Sequence, residues 1–153
     1  MALLPRSTHL VPTLSAVPVP RSPHRAEFEV PAQRSSVGVA RRLLTEWLRR
    51  WHCPPDVVDT AQLVVSEFVT NAVVHTVSDR IGCCLLRGEH RLRIEVRDQG
   101  TGALGLAARS ADVEATNGRG LQLVDTLADA WGDVPVSRAQ GRVVWAELRL
   151  TDA

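Results

Sequence analysis

The chain has 153 residues, 44% of them apolar and 23% charged, a balance that supplies one globular core and calls for no second domain. Eighteen basic and seventeen acidic side chains leave a formal net charge of +1, which removes any whole-chain electrostatic case for a nucleic-acid or membrane partner. The three cysteines, Cys53, Cys83 and Cys84, are odd in number and form no CxxC pair, so reduced thiols are expected rather than a disulfide framework or a zinc site.

In chain order, the first 25 residues carry five of the nine prolines: Pro5, Pro12, Pro18, Pro20 and Pro23. That density prevents a regular helix or strand, and residues 1–25 read as a disordered tail. Pro12 and Pro18 also interrupt the apolar stretch from Leu10 to Val19 that an export signal would keep unbroken. No later segment reaches the roughly 18 uncharged apolar residues of a membrane span, so a cytoplasmic protein is expected.

One folded domain is expected over residues 26–151. It opens with a short strand from Ala26 to Val30, limited by Pro31. A helix follows, with Ala40, Leu43, Leu44, Trp47, Leu48 and Trp51 on one stripe; the arginines at 41, 42, 49 and 50 fall mostly off it and read as a solvated face. Cys53-Pro54-Pro55-Asp56 breaks the chain, with Asp56 as the expected N-cap of a second helix. In that helix Glu67, Asn71 and His75 recur every four residues, which stacks three polar side chains along one face with a drift of about 40° per step. An exposed polar stripe would show the same spacing. Asparagine is nevertheless a mediocre helix former, and Asn71 sits between strongly apolar turns.

A hairpin comes next, from Ile81 to Leu86 and from Arg91 to Arg97. Period-two alternation puts Asp98 on the face of Leu92, Ile94 and Val96, so a carboxylate ends an otherwise buried row. There it could accept a hydrogen bond from an adenine amino group in a water-poor pocket, or simply cap the turn into Gly100 and Gly102. The weakly patterned stretch from Ala103 to Asn117 reads as a mobile lid. Gly118-Arg119-Gly120 then opens a third helix whose apolar spacing runs from Leu121 to Trp131, and whose N-terminal amides suit a phosphate, with the charge of Arg119 alongside. Two strands, Asp133 to Ser137 and Arg142 to Leu150, close the chain. This order predicts an α+β fold, a two-layer sandwich with helices on one face of a mostly antiparallel mixed sheet.

Glu67-Phe68-Val69-Thr70-Asn71-Ala72 resembles the N-box of the Bergerat-fold ATPases, Asp98-Gln99-Gly100-Thr101-Gly102 their first glycine box, and Gly118-Arg119-Gly120-Leu121 their second. Within that superfamily the run from Phe28 to Leu150 is most similar to the compact anti-sigma-factor serine/threonine kinases of actinomycetes. The resemblance implies a pocket for ATP and Mg²⁺ between the helix and the glycine loops, drawing on Asn71, Ala72, His75, Asp98, Gly100, Gly102 and the segment from Gly118 to Leu121. It implies Glu67 as catalytic base, Asn71 as the metal ligand and Asp98 as the reader of adenine. As partners it implies an anti-anti-sigma, STAS-like protein or a sigma factor, and a possible homodimer. The family's last strand usually brings a threonine to the adenine, where this chain is expected to place Val143; losing that hydroxyl would weaken binding by about 1 kcal/mol. The alternative reading is a regulatory binding module that uses ATP only as a conformational ligand or not at all. The catalytic half of a histidine kinase is disfavoured, since fewer than 40 residues precede the first helix.

Overall fold

The computed structural model describes residues 24–75, 79–98, 118–136 and 141–150. Residues 1–23, Gly100, Gly102, the expected lid from Ala103 to Asn117 and the last turn before Gly141 lie outside these described residues. Strand β1 (His24–Pro31) is followed by helix α1 (Ser36–Arg50), helix α2 (Pro55–His75) and the hairpin β2 (Arg80–Arg87) and β3 (Arg91–Asp98); helix α3 (Gly118–Leu127), β4 (Ala130–Val136) and β5 (Gly141–Arg149) complete it. The strands form one sheet in the order β1-β2-β3-β5-β4. Every described pairing is antiparallel, so the sheet is not mixed as the sequence suggested.

Why α2 takes the centre follows from its composition. It buries Val57, Ala61, Val64, Val65, Phe68, Val69 and Ala72 over about four turns, and it packs against β2, β3 and β5 while α1 and α3 flank it. Leu92, Ile94 and Val96 of β3 meet it from below, with Val144, Ala146 and Leu148 directly across on β5. Gln62 Nε2 donates to Thr45 Oγ1 at 2.7 Å and ties α2 to α1. By length and mean composition α2 is apolar enough to cross a membrane, but Asp56, Asp59 and Glu67 interrupt it, in keeping with the sequence expectation, and half of its most apolar window is buried inside the protein. Its apolar length is that of a core helix covering a sheet.

The element boundaries obey local chemistry. Helix α1 ends with His52 at a φ of 58°. There the His52 N–H donates to Arg49 O at 3.0 Å and the Cys53 N–H to Leu48 O at 2.9 Å, the paired bonds of a Schellman ending with histidine where glycine is usual. Helix α2 starts at Pro55, one residue before the expected cap, because a proline at the first helical position loses no hydrogen bond; Asp56 therefore lies in the first turn. Strand β1 begins at His24, two residues inside the expected tail. The third helix stops at Leu127, so Trp131 belongs to β4. Its Nε1 still donates back to Asp125 Oδ1 on α3 at 2.9 Å, which explains why its spacing reads as helical.

Cys83 faces the core and the half-buried Cys84 the opposite side, as alternation along β2 demands, and all three cysteines are free thiols. Burial pushes the Cys83 thiol up to about 12 and the Cys84 thiol up to about 11, which keeps both protonated and unreactive at neutral pH.

Two substitutions test these details. His52→Gly relieves the left-handed strain and is expected to stabilise the fold by about 1 kcal/mol. Gly132→Ala would set a methyl 2.6 Å from Trp145 Nε1 and is expected to cost about 1–3 kcal/mol. Thermal or denaturant unfolding measures both, and the signs should be opposite.

Candidate functional site

The row read from the sequence on α2 turns inward. Asn71 is 4% exposed and His75 6%, while Glu67, one turn earlier, is half-buried. The exposed-stripe alternative therefore fails at two of the three positions. Asp98 ends β3 on the helix-covered face and is 4% exposed. Helix α2, which carries the row, packs on β3, the strand that Asp98 ends. Backbone of Gly118, Arg119 and Gly120 forms the first turn of α3, which packs against α2 as well. Leu121 beside them is half-buried. Gly100 and Gly102 lie outside the described residues.

Asn71 carries the most informative atom. Its Oδ1 is buried and, among the described residues, has no hydrogen-bond partner. An orphaned amide oxygen inside a protein costs about 1–3 kcal/mol, and such an atom calls for a ligand that supplies the missing contact. A neutral hard oxygen of this kind suits Mg²⁺, which shares its coordination with water and phosphate oxygens and needs few protein ligands. Among the described residues no three His, Cys, Asp or Glu side chains cluster as a metal site. A cation here would thus rest on the Asn71 amide and on a phosphate-bearing ligand, and the residues fit that arrangement.

The strand register corrects one expectation. Asp98 pairs with Arg142 on β5, and Arg97 pairs with Val143. Side chains alternate, so Val143 points to the sheet face away from the helices, and it cannot stand in for a threonine beside Asp98. The neighbour that sequence reading missed is Arg142, whose Nε donates to Asp133 Oδ1 at 2.9 Å. The signal was available: Gly141 fixes where β5 begins, and counting by two from Ala146 in the core reaches Arg142. A groove of about 640 Å³ is the site of Val143 instead. It is lined chiefly by outward residues of β1, β2 and β3, takes in Asp98 at its end, and includes none of Glu67, Asn71 and His75. The chemistry of the α2 row places the candidate site on the helix side.

With this geometry in place, comparison with known proteins is decisive at the level of family. Residues 30–148 match the histidine kinase-like ATPase domain, and the chain belongs to that family. Among solved structures, the RsbU and RsbW domains of Rv1364c from Mycobacterium tuberculosis share the fold, with a TM-score of 0.59 at 20% identity. That match covers 84% of this chain and 33% of the other, so the chain spans about a third of the length of the protein it resembles. No curated protein matches. The helix-covered antiparallel sheet is accordingly a two-layer sandwich of the Bergerat type.

If the Asn71 oxygen is held for a ligand, removing it should not weaken the empty fold. Asn71→Leu, of similar volume, is expected to leave the melting temperature of ligand-free protein unchanged or raised by several degrees. A marked drop would show that the amide has a structural task of its own.

Proposed function

We propose that the chain is an ATP-dependent protein-serine/threonine kinase of the anti-sigma-factor type, phosphorylating a small STAS-like anti-anti-sigma partner, sequestering a sigma factor, or both. The observation that carries the nucleotide reading is the buried Asn71 Oδ1, without a hydrogen-bond partner among the described residues and one helical turn from Glu67, in a chain of the histidine kinase-like ATPase family. A cytoplasmic location, possible homodimerisation and the division into a tail and a domain of residues 26–151 belong to the same proposal.

In this reading each residue has one task. Asp98, buried at the end of β3, accepts the adenine amino hydrogen. Asn71 would hold Mg²⁺, whose charge offsets that of the phosphates when bound. Glu67, half-buried, accepts the proton of the partner's serine or threonine hydroxyl as that oxygen bonds to the γ-phosphorus and the bond to the β-phosphate oxygen breaks, releasing ADP. His75 donates to a phosphate oxygen, and Ala72, small and buried, leaves room beside the row. The first-turn amides of α3 at Gly118, Arg119, Gly120 and Leu121 receive phosphate at the positive end of a helix dipole, and Gly100 and Gly102, outside the described residues, are assigned to the same site.

Calorimetry with Mg-ATP orders these assignments. Asp98→Asn and Asn71→Ala should each weaken binding about tenfold or more, and both should exceed the loss in His75→Ala. Transfer of labelled phosphate from ATP to a STAS-like partner tests the kinase. Glu67→Ala should reduce it by about 100-fold or more while ATP binding persists. Tight partner and ATP binding without any transfer would instead assign the chain to the regulatory-module reading.

A further inference from the structure

Along the helix-covered face of the β3-β5 ladder, Leu92 faces Leu148, Ile94 faces Ala146, Val96 faces Val144, and then Asp98 faces Arg142. Three apolar pairs of the core are thus followed by one charged pair, on the same face by period-two alternation. Opposite charges set directly across two strands ordinarily join one another. The ion pair of Arg142 runs instead to its other neighbour strand, where Nε donates to Asp133 Oδ1 on β4 at 2.9 Å. The Arg142 side chain is only 15% exposed, so it is held in place rather than free in solvent. Among the described residues that bond engages Nε alone, and both Nη groups keep their hydrogens for another acceptor.

We propose that Arg142 is a second reader of the base: while Asp98 accepts from the adenine N6 amino group, an Nη group of Arg142 donates to N1, and the two together select adenine. The inference rests on the nucleotide reading above and adds to it the residue that decides which base is taken. Adenine carries a donor at N6 and an acceptor at N1 side by side, on the edge farthest from its sugar. Asp98 is 4% exposed, so a base that reaches it enters with that edge first and leaves its ribose and phosphates directed at the first turn of α3. Facing residues of an antiparallel pair stand about 4.5–5.5 Å apart at Cα, close enough for a carboxylate and a guanidinium each to meet one of two neighbouring ring-edge atoms. Asp133 has the positioning task. By drawing the guanidinium toward β4 it keeps the donor beside the Asp98 acceptor instead of joined to it. Guanine in the same orientation would set its O6 acceptor against the carboxylate and its N1 hydrogen against the guanidinium, two mismatches in a buried site.

The test is a cycle of ligands and variants, read by calorimetry on the full chain with the magnesium complexes of ATP, 1-deaza-ATP, 7-deaza-ATP and GTP. 1-Deaza-ATP has a C–H in place of the N1 acceptor, whereas 7-deaza-ATP keeps N1 and serves as the control. The unaltered chain should bind 1-deaza-ATP about tenfold or more weaker than ATP or 7-deaza-ATP, and GTP weaker than ATP. Arg142→Ala, and Arg142→Met, which keeps an apolar stem, should lose about tenfold toward ATP and 7-deaza-ATP and nothing further toward 1-deaza-ATP. That retained binding also shows that the variants are folded. Equal losses toward all three adenine ligands, or no loss toward any, would overturn the proposal while the nucleotide reading stands. GTP bound by the unaltered chain as tightly as ATP overturns it too. Failure of the unaltered chain to bind any of the four would remove the nucleotide reading itself and this inference with it, an outcome separate from the others.

Discussion

Helix α2 must lie flat on β3 and β5 for anything else in this protein to be placed. Its apolar residues cover nearly the whole middle of the sheet, and Phe68 alone, fully buried there, is the kind of side chain whose truncation costs about 3–5 kcal/mol. Helices α1 and α3 flank it, and the hairpin β2-β3 supplies the floor. The same contact that stabilises the domain also forces the Asn71 and His75 side of α2 out of water. A helix packed this hard has no freedom to rotate an inconvenient amide into solvent, so the polar row stays where the apolar row puts it.

The two faces of the sheet solve different problems. Beneath the helices, alternation delivers a continuous aliphatic layer that ends in one carboxylate, Asp98. On the other side it delivers arginines and glutamates stitched across strands, with Arg93 between Glu95 and Glu147 and stacked on Trp145. A buried ion network of this kind contributes less to stability than its contacts suggest, because desolvation offsets much of the attraction. Its value lies in fixed geometry, and Gly132 is part of that geometry, since only a residue without a side chain lets the indole lie over β4.

Much of this was legible from residues alone, and the failures have physical reasons. The order of helices and strands followed from periodicity, and so did the inward carboxylate at Asp98. The row of Glu67, Asn71 and His75 was visible as spacing, but spacing cannot tell a buried row from a wet one; the apolar residues on both sides of Asn71 were the better clue. Trp131 was misplaced because its side chain returns to α3 although its backbone has left the helix. Val143 was misplaced because a motif match aligns letters, whereas a strand shifted by one residue exchanges its faces. The stacking of Arg93 on Trp145 could not be read at all, since it depends on cross-strand register between segments some fifty residues apart.

The order of synthesis adds a consequence for α2. It is complete once His75 has been made, but every strand it packs on, β2, β3 and β5, lies later in the chain. A growing chain that folds from its N-terminus therefore presents a long apolar helix, paired at most with α1, until the β2-β3 hairpin emerges. During that interval α2 has the composition of a membrane span and no floor to cover. The residues that make the finished domain cohesive are the ones most in need of protection while it is being built.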